Sequence, residues 1–313
     1  MIDKLKIEDK NWKDQNYDEW RKRLRKELKL DDLSNKVLHI DNDIIYDPYK
    51  DQNINESSLH ISNYPNLSIG MVFHPQDEEK CNSSLLKFLS HDMRVLRMVF
   101  GQKMNWNILF KDVQMNLVTW IVECHNDEIQ ESFDEYLSIN DRKDIRVIYT
   151  NKDMNDEVEL LDYRNSTNNN LEILKAINNN VGISVKKNIY IEIAIKQNVL
   201  EVVPFLRAIR IQCEKNFPEK KIQIAAFPHI ENLSDDPNQR LIIAGSVAMI
   251  CSMAGVDYLF PVYNDTQIED ESKRIMLNIQ NIMELESQTH KANDPMSGSY
   301  VIDDLTRQYL SVI

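Results

Sequence analysis

The chain has 313 residues, of which 42% are hydrophobic and 28% charged, so it can bury a large core in one large domain or two smaller ones. Its formal net charge of −13 argues against a nucleic-acid or anionic-membrane partner, and no apolar run approaches the roughly 18 residues that span a bilayer. The first residues are polar and the four cysteines are far apart, so we expect no secretory signal, reduced thiols and a cytoplasmic location.

The first predicted element is a helix over residues 17–30. Trp20, Leu24 and Leu28 recur at helical spacing and form an apolar stripe with a charged back, and Trp12 lies just before it. An apolar stripe of this kind is normally buried against another surface. The candidates for a partner interface are therefore Trp12, Trp20, Leu24 and Leu28. We interpret the basic run on the back as a solvated face, with docking onto an acidic partner as the alternative.

A hairpin and a linker follow this helix. The alternating segment 37–49 contains a polar turn and predicts two antiparallel strands. Residues 50–63 are polar and rich in asparagine. We therefore expect an N-terminal arm, hairpin and linker over 1–63 and a second domain over 64–313.

The second domain alternates between predicted strands and helices. Alternation of this kind predicts a parallel sheet with helices outside, and about eight units predict an α/β fold of the (β/α)8 TIM-like barrel class. The strands are expected at 68–73, 95–100, 117–123, 145–149, 157–161, 189–195, 222–227 and 257–262. The helices are expected at 78–90, 127–138, 169–178, 198–216, 236–254 and from 266 onward. The helix at 236–254 opens with Asp236-Pro237, a good pair for the N-cap and first helical position, and it is apolar nearly all round, so we expect it to be deeply buried. Close spacing of the strands between 117 and 161 predicts short or missing outer helices, hence a partly degenerate barrel.

Few residues carry recognisable chemistry. The chain has only 6 glycines and lacks glycine-rich phosphate loops, the GxSxG elbow and the HExxH zinc pattern. Cys124-His125 lies at the predicted C-terminal end of a strand, and we interpret it as a buried thiol beside an exposed imidazole. His229 also follows a strand and is a candidate ligand contact. Arg207 and Arg210 share one helix and suit either a phosphate or, our preferred interpretation, salt bridges.

The stretch NDPMSGSY at 293–300 predicts a turn. Pro295 fixes the backbone, Asp294 can accept hydrogen bonds from the backbone beyond it, and Gly298 allows a positive φ. Asp303 or Asp304 can then cap a last helix beginning at the LTRQYL segment. On physical grounds this turn ends the barrel.

Several stretches together resemble the methylmalonyl-CoA mutase family. Residues 278–306 resemble the family segment leading into its D-P-x-x-G-S-Y turn, and 191–210 resemble the segment ending in A-K-x-R-A-x-R. Asp236-Pro237 matches a family D-P at a helix start. The opening helix and the hairpin resemble those of the family. Residues 74–100 resemble the family's small subunits, in which a strand–helix–strand replaces the large subunit's substrate-gripping entry.

The departures from the family pattern bear on function. The D-x-H-x-x-G signature of the family's cobalamin-binding domain does not occur in this sequence, so we expect the chain to lack that domain. Ile224 or Ala225 stands where the family has its catalytic histidine, and His229 is about five residues too late. Val202 and Phe205 replace the family's Glu and Lys.

The resemblance therefore implies a non-catalytic small (beta) subunit of a heterodimeric methylmalonyl-CoA mutase. The implied partner is the large (alpha) subunit, which would bind adenosylcobalamin and isomerise succinyl-CoA and methylmalonyl-CoA, whereas this chain would bind no cofactor. Trp12, Trp20, Leu24 and Leu28 would contact the partner. His229 and Arg207 would mark a vestigial pocket. The alternatives are a free-standing decayed barrel that binds acyl-CoA or has a cobalamin-independent activity, and a regulatory protein without a mutase partner.

Overall fold

The structure is a computed structural model that describes residues 17–29, 38–41, 44–46, 59–140, 145–150, 158–228, 236–260 and 270–312. It divides into two compact units, Met1–Ser57 and Ser58–Ile313. The division falls within the predicted linker, a few residues before the predicted boundary at 63/64. No helix in the described ranges is long and apolar enough to cross a membrane.

The first unit contains the predicted helix and hairpin. Helix α1 spans Tyr17–Leu28, with Asp18 and Glu19 in its first turn. Strands β1 (Leu38–Asp41) and β2 (Ile44–Tyr46) pair antiparallel. Trp20 and Leu24 are half-buried and Leu28 is exposed, whereas Trp12 lies outside the described residues.

The second unit is a nearly closed barrel of eight parallel strands, which confirms the predicted fold class. The strands are β3 (Ser68–Phe73), β4 (Val95–Phe100), β5 (Thr119–Cys124), β6 (Val147–Tyr149), β7 (Val158–Tyr163), β8 (Asn188–Ile195), β9 (Lys221–Pro228) and β10 (Tyr258–Leu259). Hydrogen-bonded neighbours follow the order β6-β5-β4-β3-β10-β9-β8-β7. Only residues 150–157 separate β6 from β7, and 151–157 lie outside the described residues.

The helices that flank the barrel follow the predicted order, with one addition. They are α2 (Glu78–Leu89), α3 (Trp106–Leu109), α4 (Asp127–Ile139), α5 (Asn170–Ile183), α6 (Val199–Asn216), α7 (Pro237–Ala254), α8 (Asp270–Asn281) and α9 (Tyr300–Ser311). The short α3 was not predicted. A π-helical turn, Ile282–Glu286, continues α8.

Asparagine and aspartate start most of these helices, as the composition allows. The side chain of Asn126 accepts a hydrogen bond from Ile129 N at the start of α4. Asp236 accepts one from Asn238 N ahead of Pro237, which confirms the predicted cap of α7. An N-cap acceptor of this kind is worth about 1 kcal/mol.

Two predictions about the C-terminal helices are wrong. Helix α7 was expected to be deeply buried, but Ile242 is 69% exposed and Met249 40% exposed. The last helix was expected to start after Asp303 or Asp304, but α9 begins at Tyr300. Asp303 lies in the first turn of α9, where its carboxylate bonds to other parts of the chain.

Side chains fill the interior of the barrel. One layer of apolar and aromatic residues forms a continuous buried cluster, and its members are Val95, Ile121, Ile148, Tyr190, Ala225, Phe227, Tyr258 and Phe260. Gly70 on β3 lies against this layer. A Cβ at Gly70 would lie 2.5 Å from Val95 Cγ1 and 2.7 Å from Phe260 Cε1, so only glycine fits there.

Candidate functional site

The C-terminal ends of the strands bring several polar side chains together. His74 follows β3, His125 follows β5, Thr150 follows β6 and Arg164 follows β7. Active sites of (β/α)8 barrels form at this end. The loops 151–157, 229–235 and 261–269, which follow β6, β9 and β10 here, lie outside the described residues.

An ionic network crosses the barrel interior below this end. Arg97 on β4 is 1% exposed and donates from Nη1 to Glu192 on β8, which is fully buried. Arg97 Nη2 also donates to Glu123 Oε2 on β5 at 2.6 Å. The three side chains point inward because they alternate with buried apolar neighbours on their strands.

A second guanidinium extends this network toward the C-terminal ends of the strands, which we call the mouth of the barrel. Arg164 donates to both carboxylate oxygens of Asp162, at 3.0 and 2.8 Å. Its Nε also lies 2.8 Å from Glu192 Oε2. The ring of Phe227 lies beneath both cations, 5.6 Å from the Arg97 carbon and 5.4 Å from the Arg164 carbon. We call Arg97, Glu123, Asp162, Arg164 and Glu192 the barrel ion cluster.

The pKa shifts follow from burial and pairing. Burial favours a lower pKa for Arg97, but the negative charges around it, chiefly Glu192, together outweigh burial and the pKa is raised, so the guanidinium stays charged. Burial favours a higher pKa for Asp162, but the hydrogen bonds and charge of Arg164, with the charge of Arg97, together outweigh burial and the pKa is lowered. Burial raises the pKa of Glu192, and the charges of Arg97 and Arg164 only partly oppose that rise.

His74 lies beside this cluster and is the most reactive candidate at the mouth. Its Nε2 is buried and has no hydrogen-bond partner within the described ranges. Burial lowers the pKa of His74; the charge of Glu123 opposes that shift, and Arg97 and His125 add to it. The imidazole is therefore neutral near pH 7 and can accept or donate one proton.

The side chains of the barrel ion cluster bind one another, so the cluster is better suited to a structural role than to binding an anion. Its two guanidiniums face three carboxylates, so neither cation is left for a phosphate. Within the described residues, no group of three or more His, Cys, Asp or Glu side chains could hold a metal ion. The described groups at the mouth that could transfer a proton are His74, the exposed His125 and the partly exposed Glu123.

Of the other predicted candidates, Cys124 and His125 lie at the end of β5, and the rest lie away from the mouth or outside the described residues. The thiol of Cys124 is buried, which raises its pKa to about 12, while His125 beside it is exposed. His229 falls in the undescribed segment 229–235. Arg210 donates to Gly255 O, Ile222 O and Asp257, at the opposite end of the barrel from the mouth.

Arg207 lies on an outer helix and is engaged by the C-terminal turn. It is fully buried on α6, where it donates to Asp294 and, at 3.2 Å, to Leu59 O. Asp294 also accepts from Ile61 N at 2.8 Å. Asp303 accepts from Leu59 N at 3.3 Å and from Gly298 N at 3.2 Å. These contacts form a clamp, the Arg207 clamp, that ties α6, the segment 59–61, the turn and α9 together.

The turn has the predicted backbone but different partners. Gly298 has a φ of +83°, which confirms the predicted positive φ. Asp294 itself has a φ of +57°, and its carboxylate bonds to Arg207 and Ile61 rather than to the backbone just beyond it. The turn therefore closes the fold through long-range contacts.

Sequence reasoning missed the barrel ion cluster. The sequence feature that could have revealed it is a single charged residue inside an otherwise apolar strand, as with Arg97 in VLRMVF and Glu192 in IYIEIAI. A buried charge must be paired. Two opposite charges on inward positions of two barrel strands could have been matched, although the partner assignment needs the barrel's closure.

The fold and this site define a (β/α)8 barrel whose interior is filled by an ion cluster and an aromatic layer. The family model for methylmalonyl-CoA mutase matches residues 230–312. This match supports a relation to that family over the last part of the chain, from α7 to α9. A comparison with curated proteins finds none that matches the chain.

Proposed function

We propose that the chain is the non-catalytic small subunit of a heterodimeric methylmalonyl-CoA mutase. In this proposal the large subunit binds adenosylcobalamin and interconverts succinyl-CoA and methylmalonyl-CoA, and this chain stabilises it. The observation that carries the proposal is the barrel ion cluster. Arg97 and Glu192 occupy the barrel interior at 1% and 0% exposure, where a catalytic barrel needs room for its substrate.

The chemistry of the described mouth also supports a structural role. Acyl-CoA carries phosphates, and the two guanidiniums near the mouth are held by Glu123, Asp162 and Glu192. The paired charges do not fit a cradle for the cofactor or for a phosphate. No described residue at the mouth is therefore assigned to cobalamin, and the radical chemistry is assigned to the partner.

The apolar stripe of α1 supplies the proposed contact with the large subunit. Leu28 is 44% exposed at the end of the stripe. Trp12, Trp20 and Leu24 complete the proposed interface, and the basic back of α1 suits an acidic rim on the partner. The Arg207 clamp has no part in a pocket in this proposal, because its guanidinium is used inside the fold.

We also propose a cytoplasmic location. All four cysteines are buried thiols outside any disulfide, which is typical of proteins kept in a reducing compartment. Burial raises the pKa of Cys213 to about 12, so this thiol resists oxidation.

Co-expression with a large mutase subunit tests the proposal. We expect a 1:1 complex on size-exclusion chromatography and mutase activity with adenosylcobalamin that survives His74→Gln and His229→Ala in this chain. Leu28→Glu should weaken the complex, whereas Leu117→Glu, at a 68% exposed site on the barrel unit, should not. Failure to form any complex would overturn the assignment.

One observation favours a second candidate, a free-standing barrel that binds acyl-CoA or has a cobalamin-independent activity. His74 Nε2 is buried without a partner in the described part of the chain, and Glu123 nearby is 31% exposed by side chain. Calorimetry of the isolated chain with CoA and acetyl-CoA distinguishes the two. Binding that His74→Gln weakens would favour this candidate, and heat signals equal to the dilution control would exclude it.

A further inference from the structure

Helix α7 is apolar on both of its faces. Residues 241–254, LIIAGSVAMICSMA, contain no charged side chain. Val247, Ala248 and Cys251 are fully buried on the face toward the barrel. An outer helix normally presents polar residues to water, and a helix that is apolar all round normally has a cover on every side.

The outward face of α7 has no cover within the described unit. Ile242 is 69% exposed and Met249 is 40% exposed, and they lie two turns apart on one stripe. Gly245 and Ser246 lie between them. A Cβ built on Gly245 meets no heavy atom within 4 Å, so the stripe faces open space at its centre.

The order of side-chain sizes along this stripe reads the same in both directions. A large residue, two small ones and a large one follow each other as Ile242, Gly245, Ser246 and Met249. A twofold axis between Gly245 and Ser246 would set Ile242 of one helix against Met249 of an antiparallel copy. The small residues would then face each other and let the two backbones approach closely.

Charge also favours a second copy of this chain as the occupant. Two chains that each carry −13 repel over most of their surfaces, whereas this stripe is uncharged. An isologous interface needs a self-complementary patch, and a neutral stripe with this size order is one.

The neighbouring helix can add area to this face but not enough to reach a standard interface. A helix of 18 residues has an exposed face roughly 27 Å long and 10 Å wide, or roughly 270 Å², against about 800 Å² per partner in a standard interface. On α8 and its π-helical turn, Ile275, Ile282 and Leu285 are 36%, 48% and 72% exposed. Helix α8 packs against α7.

We propose that the chain self-associates into a twofold dimer through the outward faces of α7 and α8, with Gly245 and Ser246 at the axis. Association through this limited area is weak and reversible. The dimer is independent of the α1 stripe and of any mutase partner.

Sedimentation equilibrium of the full chain over roughly 1–200 μM tests the dimer. We expect monomer at the low end and dimer at the high end. Ile242→Asp should keep the chain monomeric throughout the range, whereas Ile139→Asp, at a 75% exposed position on α4, should dimerise like the parent. Gly245→Leu should also stay monomeric, and the open space around Gly245 lets the monomer fold unchanged.

Thiol cross-linking tests the position of the axis. The chain's four cysteines are at most 9% exposed, so an added surface cysteine can be addressed selectively. Ser246→Cys should form a covalent dimer with a short bis-maleimide, and Ser138→Cys, exposed on α4, should not. Cross-linking of both variants to the same extent would place no axis at Ser246 and would overturn the proposal.

The outcomes separate this proposal from the proposed function. A chain that is monomeric at every concentration, or whose dimer persists in Ile242→Asp and Gly245→Leu, refutes the α7 dimer. If these variants instead lose only the complex with a large mutase subunit, the occupant of the stripe is that subunit and not a second copy. A dimer with the expected variants but no complex with a large subunit would uphold the α7 dimer and refute the mutase assignment.

Discussion

Removing the charge of Asp294 should destabilise the barrel unit and leave the side chains at its mouth unchanged. The carboxylate is fully buried and pairs with the fully buried Arg207 guanidinium. In Asp294→Asn the amide oxygen can still accept the hydrogen bond from Ile61 N, but Arg207 loses its nearest counter-charge and keeps only Asp303, whose Oδ1 lies 3.6 Å from Nη2. Breaking a buried pair from one side costs about 3–5 kcal/mol because the remaining charge is poorly compensated.

The expected change is measurable by thermal and urea unfolding. At about 2 °C per kcal/mol for a domain of this size, Tm should fall by about 6–10 °C. Asp92→Asn is a matched control, because Asp92 is exposed and has a φ of +61°, close to the +57° of Asp294. Asparagine tolerates this left-handed conformation, so the control isolates the effect of the charge.

A double variant tests the pairing itself. Arg207→Met removes the cation and keeps much of the buried volume, so Arg207→Met with Asp294→Asn should lose less stability than the sum of the two single variants. The reasoning is refuted if Asp294→Asn loses no more stability than Asp92→Asn. Additive single and double variants would show that the two side chains do not act as a pair.

Three further predictions concern the interior and the mouth of the barrel. Gly70→Ala should destabilise the chain by about 1–3 kcal/mol through overpacking, whereas Gly245→Ala, in open space on a helix, should be neutral or stabilising by up to about 1 kcal/mol in urea unfolding. Glu192→Gln should lower stability by about 3–5 kcal/mol because Arg97 loses its most buried counter-charge; a change below 1 kcal/mol would contradict the pairing. Because the pKa of His74 is lowered, the folded state resists its protonation, so stability should fall as pH drops below about 6.5; His74→Gln should flatten that slope between pH 7.5 and 5.5 in urea titrations, and an unchanged slope would assign the pH dependence to another group.

The periodicity of the sequence is sufficient to predict the barrel. All eight strands lie where short apolar runs place them, because strands of a barrel that is filled inside and covered by helices outside are buried on both faces. Asn126 and Asp236 mark helix starts through local hydrogen bonds, which also depend only on neighbouring residues.

Contacts between distant residues could not be predicted in this way. The pair Arg97–Glu192 spans 95 residues and joins two strands that are not neighbours in the sheet. The partner of Asp294 lies 87 residues away on α6. Local spacing shows that such charges exist but not which of them meet, because the meeting depends on closure of the barrel.

The outward face of α7 was mispredicted for a related reason. Its composition is that of a buried helix, and the prediction of burial assumed that the fold of one chain supplies the cover. The exposed fractions of Ile242 and Met249 show that the barrel unit covers only one side. An apolar helix composition can therefore indicate a contact with another molecule rather than burial within the folded unit.

The residues that carry the resemblance to the mutase family hold the fold together. Arg207 of the R-A-x-R segment bonds Asp294 of the D-P-x-x-G-S-Y turn, and Gly298 N of the same turn bonds Asp303. Residues 230–312, which the family model matches, contain the turn and α9 but lie outside the barrel ion cluster. A clamp of this kind can persist whether or not the mouth performs chemistry, because its charges are paired inside the fold. The resemblance at these residues therefore bears on the architecture, whereas catalysis depends on groups at the mouth such as His74 and must be tested there.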